Sequence, residues 1–219
     1  MKDLRRRTIT GLGYAAVVLV GAFGQAIVFT LLVGLAMGLA LRELWELRRA
    51  GVVAGIEVVV LLLGSGCLVY LRLVGDSDAA HAIAMGIPVW LLLAVVATWA
   101  ADVGAYVIGS LAGRRKIAPR ISPGKTWEGT FGGFGAAALA VLGVSALFGL
   151  GRPEAAVAAV TIGPLAFAGD LLESLLKRRA GVKDSGALFP GHGGMLDRVD
   201  SLLAVAPLVA ILTVVASLR

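Results

Sequence analysis

The chain has 219 residues, 58% of them hydrophobic and 16% charged, with 20 Lys and Arg against 14 Asp and Glu for a net charge of +6. So apolar a composition excludes a water-soluble globular domain, and it excludes a disordered chain, which lacks the apolar groups that offset ordering entropy. The expected solvent is a lipid bilayer, and with the cations placed between apolar runs no nucleic-acid partner is expected.

Crossing a hydrocarbon core takes about 20 apolar residues. From Thr8 to Leu41 the chain is almost continuously apolar, which reads as two short spans joined around Gly21-Ala22-Phe23-Gly24, with local thinning of the bilayer. A basic start before an apolar run also fits a signal peptide, but this run continues past the small residues that would mark cleavage. Further runs lie near 52–72, 82–101, 130–150, 155–176 and 199–218. Without water to satisfy backbone groups these must be helices. The expectation is an all-α, polytopic integral membrane helix bundle of about seven transmembrane helices, with six to eight compatible. It forms a single membrane-embedded domain over 1–219, with N-terminal helices over 1–78 and catalytic helices and loops over 79–219. Seven spans with the N-terminus inside put every Lys and Arg except Arg72, Arg152 and Arg219 on one face, which the positive-inside rule makes cytoplasmic. Cys67 lies in an apolar run, reads as a small buried thiol and has no partner for an intramolecular disulfide.

Charges at membrane depth cost roughly 2.5–3.5 kcal/mol each and therefore mark cavities or sites. Glu57, Asp102, Asp170 and Glu173 qualify, with Asp197 and Asp200 at the start of the last span. Asp170 and Glu173 are three apart and share a helix face, as do Asp197 and Asp200. Cations stand beside them: Lys177, Arg178, Arg179, Lys183 and Arg198. One reading is mutual salt bridges at headgroup level. The other is a divalent cation on the acids with phosphates held by metal and bases together, an arrangement that suits magnesium.

Between the two acid pairs runs a loop with Gly191-His192-Gly193-Gly194 just before a helix. Glycines let backbone N–H groups approach an anion, and a helix N-terminus adds free donors, so the loop has the makings of a phosphate cradle. A second basic loop, Ser122-Pro123-Gly124-Lys125-Thr126-Trp127-Glu128-Gly129, invites a P-loop assignment. It lacks the glycine five residues before Gly124, where Pro119 stands, and no strand is expected to precede it.

The run Ser174-x-x-Lys177-Arg178-x4-Lys183-Asp184-x-Gly186-x3-Pro190-Gly191-His192-Gly193-Gly194-x-x-Asp197-Arg198-x-Asp200 resembles the signature of the phosphatidate cytidylyltransferases, also called CDP-diacylglycerol synthases. Gly169-Asp170-Leu171-x-Glu173, Trp99-Ala100-Ala101-Asp102-x-x-Ala105-Tyr106 and the loop at 122–129 resemble the family as well, so the motifs cover about 100–200. The resemblance implies Mg²⁺-dependent transfer of cytidylyl from CTP to phosphatidic acid, giving CDP-diacylglycerol and pyrophosphate. It implies an enzyme in the inner (plasma) membrane with its active site facing the cytoplasm. It casts Asp170 and Asp197 as metal ligands, and Asp170, Asp197, Asp200, Lys177 and Arg198 as catalytic. Ser122, Lys125, Thr126, Arg178, Lys183, Asp184, Gly191, His192, Gly193 and Gly194 become substrate-binding positions. His192 shapes the loop or meets phosphate rather than acting as a base, since phosphatidate is already an anion. Asp102 and Tyr106 either line the same cavity or serve packing, and a homodimer is compatible with such a bundle.

Rival readings are a related CDP-lipid synthase acting on another lipid phosphate and, from another class, a cation-binding transporter. The transporter reading expects acids spread through the bilayer and inverted repeats, neither of which is evident. The Asp-Gly-x-x-Ala-Arg motif of the CDP-alcohol phosphotransferases is absent.

Overall fold

The computed structural model describes residues 20, 21, 23–73, 88–188 and 193–218. The basic N-terminus, most of the first expected span, and Gly191 and His192 lie outside the described residues.

Among the described residues six helices are long and apolar enough to cross a membrane. They are α1 (Ala26–Glu46), α2 (Val52–Leu73), α3 (Val89–Ala112), α4 (Trp127–Phe148), α5 (Arg152–Arg179) and α6 (Leu196–Ser217). The fold is an all-α polytopic bundle. Large apolar side chains such as Leu31, Leu35, Val59, Leu139, Leu147, Val160 and Ile211 point outward, where hydrocarbon rather than water can accept them. The core between helices holds Leu61, Leu71, Leu91, Leu93, Ile162, Leu176, Leu196 and Val205. Central to the bundle is α6, packed against α2, α3 and α5.

Local chemistry sets the ends. A 3-10 turn at Arg48–Ala50 and Gly51, with φ +64°, reverse the chain between α1 and α2. At the far end of that pair Arg72 Nη2 donates to Gly24 O at 2.6 Å. Thr126 Oγ1 caps α4 by accepting from Gly129 N at 3.2 Å, and Gly149 ends that helix in the left-handed conformation. Pro164 and Pro207 lie inside α5 and α6, where packing helices tolerate them.

The tightest helix pair is α3 with α4, because glycines let the two backbones touch. A Cβ at Gly129 would come 2.7 Å from Ala105 O, and one at Gly133 would come 2.7 Å from Ala101 O.

Two features differ from the sequence expectation. The third of the described helices runs from Val89 to Ala112, where a run over 82–101 was expected, since Asp102 does not end it. Between α3 and α4 stands an antiparallel hairpin, β1 (Lys116–Ala118) and β2 (Ser122–Thr126), so strand structure does precede α4. Pro123 and Gly124 are poor strand formers, and the hairpin forms through backbone pairing that no hydrophobic alternation announces. It is still no P-loop, for the required glycine is missing and the pairing is antiparallel.

Candidate active site

The ends of α3, α4, α5 and α6 that carry the hairpin and the loop between α5 and α6 enclose a cavity of about 920 Å³. That volume lies within the range that holds a nucleotide-sized ligand. Its apolar side includes Phe134 and Phe167, and its polar side gathers acids and bases from α3, α5, α6 and both loops.

Asp170 and Glu173, one helical turn apart on α5, face Asp200 on α6. Each of the three presents a carboxylate oxygen within 4.8 Å of the other two. Three acids so close would repel unless cations or protons intervene. Lys125 reaches in from the hairpin, its Nζ 2.9 Å from Asp170 Oδ2 and 4.5 Å from the centre of the Phe167 ring. Ser174 Oγ lies 3.4 Å from Asp170 Oδ1. Lys177, one turn beyond Glu173, donates to Glu173 Oε2 at 2.6 Å and to Asp197 Oδ1 at 2.5 Å. Glu173 is almost wholly buried, and its Oε1 has no hydrogen-bond partner.

Asp197 faces this group from the first turn of α6, but its oxygens are heavily used. Oδ2 accepts from Ser185 N at 3.0 Å, Ser185 Oγ at 2.8 Å and Gly194 N at 2.7 Å, while Oδ1 takes Lys177. The strap, as we call the described parts of the loop from 180 to 195, is thereby folded back onto α6. Gly193 adopts φ +78°, and a Cβ there would collide with the Asp197 carboxylate, so the close approach needs glycine.

A second carboxylate holds the strap from outside any recognised motif. Glu43, at the end of α1, accepts from Met195 N at 2.8 Å and Leu196 N at 3.0 Å, and Ser185 Oγ, whose one proton it shares with Asp197, lies 3.0 Å from its Oε2. The two backbone donors are orphan N–H groups at the start of α6. A Cβ at Gly186 would come 2.7 Å from Glu43 Oε1, and one at Gly194 would strike Glu43 Oε2.

Of the sequence-selected residues, Asp170, Asp197, Asp200, Lys177, Arg198, Lys125, Thr126, Lys183, Asp184 and Gly193 line the one cavity, together with Asp102 and Tyr106. Ser122 begins β2, Arg178 lies at the end of α5 and Gly194 precedes α6, and none of the three lines the cavity. Arg178 instead donates from Nε to Ile121 O and from Nη1 to Val182 O, both at 3.1 Å, pinning the hairpin to the end of α5. Glu173 was legible as a membrane-depth acid sharing a face with Asp170, but it was not among the residues assigned to the site, whereas it stands in the acid cluster with Asp170 and Asp200. Glu43 carried no usable signal, being one charge among several in an interfacial stretch, 142 to 153 residues from its partners.

The sequence also matches known proteins. Residues 57–216 match the model of the cytidylyltransferase family. The phosphatidate cytidylyltransferase of Pseudomonas aeruginosa is 47% identical over 141 residues, covering 56% of this chain and 46% of that protein. The phosphatidate cytidylyltransferase of Haemophilus influenzae is 48% identical over 126 residues, covering 53% and 43% respectively. That of a Synechocystis species is 43% identical over 162 residues, covering 69% and 54%. The chain thus spans about half the length of the curated relatives it matches. With its family match running from Glu57 in α2 to Ala216 in α6 and so taking in every wall of the cavity, the chain belongs to the cytidylyltransferase family.

Proposed function

We propose that this chain transfers cytidylyl from CTP to phosphatidic acid, giving CDP-diacylglycerol and pyrophosphate, at the cytoplasmic side of the inner membrane. The observation that carries the reading is the meeting of Asp170, Glu173 and Asp200 with Lys125 and Lys177 at one end of a membrane-spanning bundle. The reaction joins two polyanions, so charge repulsion is its main obstacle. Both polar substrates need a site at the edge of the bilayer, where a lipid phosphate and a soluble nucleotide can meet.

The acid cluster fits a divalent cation. Three converging carboxylates from two helices, one with a buried oxygen lacking any hydrogen-bond donor, form a hard-oxygen donor set. Asp170, Glu173 and Asp200 would hold the ion, and Asp170 is also in the pair implied by the family resemblance. Asp197, its other member, stands outside the group of three, with its oxygens engaged by Lys177, Ser185 and Gly194, so it would support the ion's surroundings through Lys177. Magnesium is the proposed ion, and when bound it supplies neutralisation of phosphate charge and orientation of phosphate oxygens.

The chain's own residues do the rest. A phosphatidate oxygen attacks the α-phosphorus of CTP, the bond from that phosphorus to the α,β-bridging oxygen breaks, and pyrophosphate leaves with the electron pair. The attacking phosphate is ionised already, so no side chain has to remove a proton. Lys125, Lys183 and Arg198 line the cavity and would stabilise the pyrophosphate as charge builds on it. Thr126, Asp184 and Gly193 lie where the hairpin and strap border that space. Phe134 and Phe167 offer an apolar wall beside the lipid's glycerol end.

The test is formation of labelled CDP-lipid from CTP, phosphatidate and Mg²⁺ by the full chain in detergent, beside Asp170→Asn and a chelated sample. Product that requires the cation and Asp170 is expected. Absence of product from the unaltered chain sinks the reaction, and an unchanged rate in the variant removes the cation assignment.

A further inference from the structure

We propose that Glu43 is a positioning residue for this site, clamping the strap and the start of α6 so that Asp197 and Asp200 face Lys177 and Asp170. For its effect on turnover the proposal rests on the cytidylyl-transfer reading. It concerns a residue upstream of the segment that matches the family.

Glu43 sits in the wrong place to help its own helix. A carboxylate in the last turn of α1 opposes that helix's dipole, whereas the N-terminus of α6 welcomes one. Its neighbour Glu46 is what an ordinary acid at this level looks like: it is well exposed and pairs with Arg42 at 3.9 Å. Glu43 is 8% exposed and spends both oxygens on donors of the strap and α6. Space was cleared for it, since Gly186 and Gly194 both abut its carboxylate where any Cβ would intrude.

The clamp is coupled to the charged cluster through one hydroxyl. Ser185 Oγ lies within hydrogen-bond distance of both Glu43 Oε2, at 3.0 Å, and Asp197 Oδ2, at 2.8 Å. Asp197 in turn holds Lys177, which holds Glu173. Glu43 does not itself line the cavity, so it acts through the strap and not on substrate.

The experiment uses the full chain in detergent with Glu43→Gln, Ser185→Ala and, as control, Glu46→Gln. It reads amide hydrogen exchange at Met195 and Leu196 together with kcat and KM. The glutamine variant retains shape but turns one acceptor into a donor facing an N–H. It should speed exchange at these two amides and lower kcat, each by about tenfold or more, the size expected for a lost hydrogen bond to a charged group. KM for phosphatidate should stay within about twofold, because the strap borders the charged cluster and not the apolar wall. Ser185→Ala should move both readouts the same way by less, and Glu46→Gln neither.

Faster exchange with unaltered kcat reduces Glu43 to a structural anchor and overturns the proposal, as does a fall in kcat with exchange unchanged. If Glu43→Gln fails to fold, Ser185→Ala decides by the same criteria. Should the unaltered chain make no CDP-lipid, the exchange arm still reads the clamp. Faster exchange then upholds the clamp while the reaction falls, and unchanged exchange sinks the clamp itself.

Discussion

Two polar loops face the cavity, the hairpin between α3 and α4 and the strap between α5 and α6, and they obtain their shapes differently. The hairpin is set by backbone pairing, Lys116 against Thr126 and Ala118 against Ser122, with Trp127 N donating to Arg115 O at 2.9 Å. Exposed Glu128 at its foot accepts from Arg114 N and Arg115 N at 3.0 and 3.2 Å. The described part of the strap is held chiefly by side chains. Buried carboxylates from α1 and α6 hold it, and Lys177 compensates part of their charge. The difference teaches where each loop is vulnerable. Backbone pairing survives most side-chain changes, while a buried charge network fails when one member goes.

The largest expected effect tests the strap side. Lys177 has 12% side-chain exposure and serves Glu173 at 2% and Asp197 at 7%. Lys177→Met therefore strands two buried acids and should cost about 3–5 kcal/mol, seen as a lowered unfolding midpoint in detergent. Adding Glu173→Gln to that variant should restore part of the loss, and a strictly additive pair would show that the two do not communicate. Next comes Asp170→Asn, at the α5 acid that Lys125 of the hairpin engages. It should lower kcat/KM at least about a hundredfold with little change in stability.

On the hairpin side the effects should shrink. Lys125→Met removes one stabilising cation and should lower kcat/KM by about tenfold with the unfolding midpoint nearly unchanged, because its Asp170 partner is partly exposed and readily solvated. Thr126→Ala deletes a helix cap and should cost about 1 kcal/mol in thermal unfolding. If either hairpin variant destabilises the protein more than Lys177→Met, the contrast between the loops is wrong.

The bundle was legible because a bilayer leaves an apolar run few options, and five of the expected runs map directly onto α2 to α6. Helix ends were harder. Asp102 looked like a boundary to a count of charges, yet it faces the cavity in mid-helix. The convergence of two acid pairs followed from three-residue spacing and a shared connecting loop. What spacing could not convey is how each acid is spent: Asp197 on strap amides and Lys177, Glu173 in a dry setting with one unmet oxygen. Nor could it reveal the hairpin, whose pairing is backbone to backbone, or Glu43, whose partners lie across the whole chain.

That last distance has a consequence for biosynthesis. Residues are made in order, so Glu43 emerges more than 140 residues before the amides it will meet, beside a helix that inserts early. Until α6 joins the bundle, the carboxylate lacks its two backbone donors, Met195 N and Leu196 N. A chain translated only as far as α5 therefore lacks the contacts that fix Asp197 and Asp200 opposite Lys177 and Asp170, and the centre is assembled only once α6 has emerged.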